Sequence, residues 1–450
     1  MNNISFKLNN TLSAKTAFTS CGCNRTPSSV HWLQDSQNQA EEHGDGGLFL
    51  YAARNSVAVV LCERNGAPRV ISSHSLHKDR VNCVRWLQKS TNSSELCYFL
   101  SGGVDKALCL CKYHRKTREI ESVCCFKDSQ SSVICCDGLT LKSGQFLLAS
   151  ACGDSYVRIY QPDKDAEKAL QSIKFGTGFI LSLQLTFISA TSVPVLACGG
   201  DDAKIHIFIQ QAGQFVKAIS LHGHEDWIRG LDFTTDDKGD MLLASCSQDC
   251  FVRIWRITES PNKVPDPSQN PSGEIKLKEN VFVAEVNEKN VTFSVTVETV
   301  LYGHEGWVYG IHWHPKVLDA SGTSRQPMKL LTASMDKTMI IWQPDADTGV
   351  WEERLRVGEV GGNTLGLYGC QFSADGRTIL AHGYHGAFTL WNLTTSSSGD
   401  EHWCRGIAVS GHFGDVTDIA WDPEGHFLLT RVEVKKSSTG YDLDPPRIPM

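Results

Sequence analysis

His224, Ser245 and Asp249 are the residue types of a hydrolytic relay: a hydroxyl nucleophile, an imidazole base and a carboxylate that orients it. The same types recur as His304, Thr332 and Asp336. A single active site has no use for a second copy, so the repetition argues for a structural network. In it the imidazole bridges the carboxylate and the hydroxyl, and an indole N–H from Trp255 or Trp342 reaches the same hydroxyl. Every polar group caught between strands then has a partner. His224-Glu225 and His304-Glu305 open an H-E-x-x-H, but the fifth residues are Ile228 and Val308, which rules out a zincin site. No P-loop or G-x-S-x-G occurs, and the glycines between 358 and 366 match no phosphate-binding spacing. The chain has no C-x-x-C pair, and Cys21-x-Cys23 and Cys109-x-Cys111 lack a second pair at zinc-ligand spacing. No catalytic residue, cofactor or metal is expected, and the chain reads as a non-enzyme.

The elements that would position these residues are repeated. Small residues, then Asp, then a short β-rich run ending in a large or aromatic residue appear clearest as Ser245 to Trp255 and Ala333 to Trp342. Weaker copies put the turn residue at Asn55, Asp105, Asp154, Asp202 and His385, each followed six positions later by Leu61, Cys111, Tyr160, Phe208 and Trp391. The registers fall 47 to 50 residues apart, except for one step of 87 between Asp249 and Asp336. Upstream of the turns stand Gly223-His224, Gly303-His304 and Gly411-His412, with Leu76-His77 a looser copy, and apolar residues alternate after each His as in half-buried strands. A Gly-His element, a turn Asp and a strand-end Trp at a period near 45 resemble the WD-repeat β-propellers, each unit giving about four strands to a blade. The expected fold is therefore all-β: a seven-bladed WD40 propeller followed by an incomplete start of a second one.

Composition agrees with a folded protein and limits its partners. Of 450 residues, 41% are apolar and 21% charged, and the net charge is −7. That balance lacks the basic excess of sequence-independent nucleic-acid binders, so direct nucleic-acid binding is not expected outside a local basic patch. The longest unbroken apolar run, Val57 to Cys62, is far short of the roughly 18 residues of a membrane span. Seventeen cysteines, an odd number scattered through strand-like runs, read as reduced thiols in a reducing compartment.

Several stretches narrow the family. Cys23-Asn24-Arg25-Thr26-Pro27, the first turn from Asn55, Cys135-Cys136-Asp137-Gly138, Ala151-Cys152-Gly153-Asp154, Gly303 to Tyr309 and Ser410-Gly411-His412-Phe413-Gly414-Asp415 together resemble the Elongator complex protein 2 family. The resemblance covers about residues 21 to 430. It implies a non-catalytic scaffold of two tandem propellers, with other Elongator subunits as partners, in an assembly that modifies wobble uridines of transfer RNA. The chain departs from that pattern after Thr430. The turn Asp due near position 437 is Ser437, so the second propeller is expected to be missing. The rival reading is a propeller substrate adaptor of a cullin-type ubiquitin ligase or a reader of modified peptides. The residues after the strand-end Trp, which are Arg256, Gln343 and Asn392, lack the Trp-Asp-x-Arg of such adaptors.

The expected division is a lead-in at 1–23, the propeller at 24–410 and an incomplete blade with a flexible tail at 411–450. The outer strand of the seventh blade is expected around 402–410. The insertion at 258–299 begins Pro-rich, with Pro261, Pro265, Pro267 and Pro271, and continues as two β-rich stretches expected to form a hairpin ending in the outer strand of the following blade. Residues 411–430 are expected to be poorly ordered, because two isolated strands are marginal in water. Arg80, Asn82, Phe179, Trp227, Arg229, Trp307, Tyr309 and Tyr368 hold aligned positions where inner strands begin. Aromatics and Arg are common interface anchors, so these eight are the expected partner surface.

Overall fold

The computed structural model describes Asn24 and residues 28–33, 47–62, 68–87, 95–162, 168–176, 178–188, 191–260, 280–286, 289–318, 322–358, 366–383, 387–395, 401–410, 415–421 and 428–433. Among them every regular element is a strand, and no helix is long and apolar enough to cross a membrane. The lead-in at 1–23, the Pro-rich half of the insertion, His385 and the tail from 434 lie outside the described residues.

Seven antiparallel sheets follow one another along the chain. The first comprises β1 (Val30–Trp32), β2 (Gly47–Ala53), β3 (Ser56–Cys62) and β4 (Arg69–Ser75). The second has β5 (Val81–Leu87), β6 (Leu96–Gly103), β7 (Leu108–His114) and β8 (Glu119–Phe126). β9 (Val133–Thr140), β10 (Phe146–Cys152), β11 (Tyr156–Tyr160) and β12 (Gln171–Lys174) make the third. The fourth contains β13 (Ile180–Phe187), β14 (Pro194–Gly200), β15 (Ile205–Gln211) and β16 (Gln214–Leu221). The fifth is built from β17 (Ile228–Thr235), β18 (Met241–Ser247), β19 (Val252–Glu259), β20 (Asn280–Val286) and β21 (Lys289–Leu301). In the sixth, β22 (Val308–Trp313) leads to β25 (Leu330–Ser334), β26 (Thr338–Pro344) and β27 (Trp351–Gly358), with β23 (Val317–Leu318) and β24 (Ser324–Arg325) as a small side hairpin. The seventh is β28 (Leu367–Phe372), β29 (Thr378–Gly383), β30 (Ala387–Thr395) and β31 (Glu401–Ser410). A two-stranded sheet, β32 (Asp415–Trp421) with β33 (Leu428–Glu433), ends the described chain.

The first strand of each sheet touches the first strand of the next, from β1 through β5, β9, β13, β17, β22 and β28. The cycle closes through β32, which touches both β28 and β1. This is a β-propeller. Its core lies between neighbouring sheets: one cluster joins Val195, Ile207 and Ile209 of the fourth sheet to Leu231, Leu243 and Trp255 of the fifth. Burying each such large apolar side chain contributes about 1.5–3 kcal/mol.

Three expectations need correction. Residues 415–421 are packed, not poorly ordered: Val416 and Ile419 are buried against Leu380 and Leu390, and Ala420 and Leu429 pack on the cluster of Val30, Trp32 and Phe49. Two strands that are marginal alone are held here because their faces are covered from both sides, in the ring of the seven complete blades. The insertion's hairpin is present, but β21 pairs with β19 and β20 adds a fifth strand outside it, so the hairpin completes the preceding blade. Phe282 and Phe293 stack with centroids 5.4 Å apart, and Gln211 of the fourth sheet donates to the Val283 carbonyl at 2.6 Å. Finally, not every cysteine is a free thiol. Cys109 and Cys125, directly opposite on β7 and β8 with Cα atoms 4.1 Å apart, form a disulfide. That is the close spacing of a non-hydrogen-bonded strand pair.

Candidate interaction face and the networks beneath it

The turn Asp earns its place locally. In five successive blades the residue after it, Lys106, Ser155, Ala203, Cys250 or Lys337, has a positive φ without being glycine. The Asp Oδ1 accepts from the N–H two residues on, at 3.2 Å for Ala107, Tyr156 and Lys204, 2.9 Å for Phe251 and 2.8 Å for Thr338, which holds the turn in that conformation.

The second carboxylate oxygen builds the predicted network. His224 Nδ1 lies 2.7 Å from Asp249, its Nε2 2.8 Å from Ser245 Oγ, and Trp255 Nε1 donates to that hydroxyl at 3.1 Å. His304, Asp336, Thr332 and Trp342 repeat it at 2.9, 2.8 and 2.9 Å. One proton order satisfies every group: indole N–H to hydroxyl, hydroxyl to Nε2, Nδ1–H to carboxylate. Burial pushes the Asp249 and Asp336 carboxyls up, but the imidazole and backbone N–H donors outweigh it and hold both below the ordinary value.

Sequence reasoning placed His77 and the turn residues Asp105, Asp154 and Asp202 in the repeat but missed their networks. His77 bridges Asp105 at 2.8 Å and Ser101 at 2.9 Å, with Cys111 where the Trp would stand. In the third sheet the fourth residue after the turn Asp takes over, as Arg158 grips both oxygens of Asp154 at 3.1 and 2.7 Å. In the fourth sheet His206 takes the same place and reaches one oxygen of Asp202 at 2.7 Å. The i+4 spacing of Asp and a basic residue was the available clue. Asn24 is a further fastener, donating to the carbonyls of Arg54 and Val81 and accepting from the Arg54 N–H at 2.6 Å, which ties the first blade to the second.

Inner strands are also locked to one another by a polar residue near their ends. His31 accepts from the Trp86 N–H at 3.2 Å, Asp137 from Leu185 at 2.9 Å, Asp232 from Trp313 at 2.8 Å and His312 from Phe372 at 3.2 Å. Burial, with the Arg85 charge adding to it at His31, lowers His31 to about 3 and His312 to about 4. Both rings are therefore neutral and able to accept. The half blade shares these fastenings: Gln371 donates to the Ile419 carbonyl at 3.0 Å, and Trp32 Nε1 to that of Ala420 at 2.9 Å, as Trp313 Nε1 does to Asp232 at 3.0 Å.

At the other end of these strands the structure joins five of the eight predicted surface residues in one row. Arg229 lies over the Trp227 ring at 5.1 Å and over the Tyr309 ring at 4.8 Å. Trp307 is 6.4 Å and Tyr368 6.1 Å from Tyr309. The row is tight because glycine follows each of Arg229, Tyr309 and Tyr368; a Cβ on Gly310 would come within 2.6 Å of the Gly369 Cα. With its amide turned to suit both groups, Gln248 accepts from Arg229 Nε and Nη2 at 3.2 and 2.6 Å. Trp227 is 41% and Trp307 47% exposed. Tyr309 and Tyr368 also line a cavity of about 310 Å³ at the centre of the ring, reached by His382 and Ile419. Arg80 and Phe179 are exposed on the second and fourth blades, outside this row. Asn82 is a correction: it is buried and donates to the Val133 carbonyl at 2.7 Å, because its strand turns it toward the third blade. Among the described residues no three His, Cys, Asp or Glu side chains converge as metal ligands.

The repeated turn, the recurrent His–Asp–hydroxyl–Trp set and the closed ring of sheets define a WD-repeat propeller. The family model described as "WD domain, G-beta repeat" matches residues 215–256, 295–343 and 404–431. Elongator complex protein 2 of Danio rerio is 43% identical over 417 residues, covering 92% of this chain and 47% of that protein. Those of Homo sapiens and Drosophila melanogaster are 40% and 36% identical, covering 92% of this chain and 48% and 50% of theirs. The chain thus spans about half the length of these curated relatives, and along that half it is similar to Elongator complex protein 2.

Proposed function

We propose that this chain is a non-catalytic WD-repeat scaffold that joins other Elongator subunits and supports wobble-uridine modification of transfer RNA through protein contacts. The observation that carries the reading is the fate of the reactive residue types. Each His–Asp–hydroxyl set is repeated, buried and closed on itself, while the exposed aromatics and Arg229 gather on one face. Polar groups that satisfy one another between strands serve stability, and an aromatic–Arg surface serves association. A cytoplasmic location with a nuclear pool accompanies this reading and suits the thirteen free thiols among the described residues.

The test is affinity purification of the tagged chain from cells, with its partners identified by mass spectrometry. The expected result is recovery of other Elongator subunits, reduced by Tyr309→Ala. Recovery of cullin-type ligase subunits in their place would overturn the proposal.

A further inference from the structure

Trp227 and Trp307 stand at the starts of adjacent inner strands, and each follows an exposed carboxylate by two residues, Glu225 and Glu305. Asp226 adds a third acid beside Trp227. Burial and then the charges of Asp249, Asp336 and Asp226 raise the Cys250 thiol, so acids of the fifth and sixth blades act on one spot beside these turns. The neighbouring slot of the same row is already filled by a cation: the Arg229 guanidinium lies between the Trp227 and Tyr309 rings. Among the described residues no Lys or Arg lies over the Trp307 ring, which is 47% exposed. An exposed indole with an exposed carboxylate two residues before it attracts a cation both through the ring quadrupole and through charge.

We propose that the Trp227–Trp307 face docks an arginine-bearing segment of a partner protein, its guanidinium stacked on Trp307 and steered by Glu305 and Glu225. The inference rests on the scaffold reading above and names the chemistry of the partner that would meet this face. Arginine is favoured over lysine because its planar, weakly hydrated group stacks on a ring while its edge N–H groups still reach carboxylates.

The experiment uses the whole chain and fluorescein-labelled Gly-Ser peptides carrying two arginines, two lysines or two glutamates, read by anisotropy at low and at physiological salt. The expected order is arginine, then lysine, with no binding of the glutamate peptide. Trp307→Ala should weaken the arginine peptide about fivefold or more, and Glu305→Gln about twofold to fivefold, with unchanged melting. Arginine-peptide binding that ignores Trp307→Ala and vanishes at physiological salt would mean general attraction to a chain of net charge −7, and would overturn the inference. Tighter binding of the glutamate peptide would overturn it as well. The two readings fail separately. Loss of Elongator subunits from the purification with peptide binding intact sinks the scaffold proposal alone, whereas recovered subunits with no arginine preference sinks this one alone.

Discussion

Residue by residue, the polar side chains between strands act as fasteners, and their titration gives them opposite signs. Asp249→Ala and Asp336→Ala each strand a buried imidazole and remove the turn's acceptor, so each should cost about 1–3 kcal/mol in urea unfolding. An unchanged midpoint would remove them from the fold's framework. Asp105, Asp249 and Asp336 titrate below the ordinary carboxylate value in the fold. Their stabilisation is complete above about pH 3.9, the unfolded value, and is lost as pH falls through the lower folded values. Asp232 runs the other way. Burial raises it to about 6 against the opposing Trp313 N–H, so its cost is absent below the unfolded value and grows as pH rises toward 6. Asp232→Asn keeps an acceptor for Trp313 and should raise the melting temperature at pH 7.5 while leaving it unchanged at pH 3; a drop at pH 7.5 would count against this account. The tetrads were legible because they repeat. Arg158 and His206 were not, since one basic residue near one Asp is a common pattern with no period to mark it.

At the scale of the element, two pieces depend on their neighbours. The β20–β21 hairpin is held by Phe282 and Phe293 packed into the cluster between the fourth and fifth sheets. Phe282→Ala should therefore cost about 3–5 kcal/mol, whereas a hairpin lying loosely on the surface would show almost none in thermal unfolding. The half blade makes a sharper case. Ile419 is buried and its carbonyl accepts from Gln371, so Ile419→Ala should cost about 2–5 kcal/mol. Slow amide exchange in residues 416–420 belongs with that loss; exchange at free-peptide rates would show β32 detached from the ring. Both elements were visible in the alternation of their residues. Their places were not, because alternation says that one face is covered and is silent on what covers it.

For the molecule as a whole, the expectation concerns assembly. Trp227→Ala and Trp307→Ala remove exposed rings that serve no tetrad, so both should leave the melting temperature within a degree or two while lowering recovery of partner subunits from cells. Equal recovery with intact folding would move the partner surface elsewhere on the ring. Five of the eight expected surface residues met in one row because they share a register on successive blades that glycines bring close together. Register is a property of repeats and can be read in a sequence. Exposure is set by the neighbouring blade, and Asn82 has the same register but is covered.

The sequence by itself determined the strand and turn of each unit, the turn Asp with its buried network, and the number of complete blades. Each of these rests on residues a few positions apart or on one repeated pattern, and local hydrogen bonding with period-two alternation is enough to specify them. The tertiary structure alone decided that β32 sits between β28 and β1, that the hairpin completes the fifth sheet, that Cys109 meets Cys125, and which side chains of the row face solvent. These depend on which surfaces meet when the ring closes, and no stretch of chain carries that information alone.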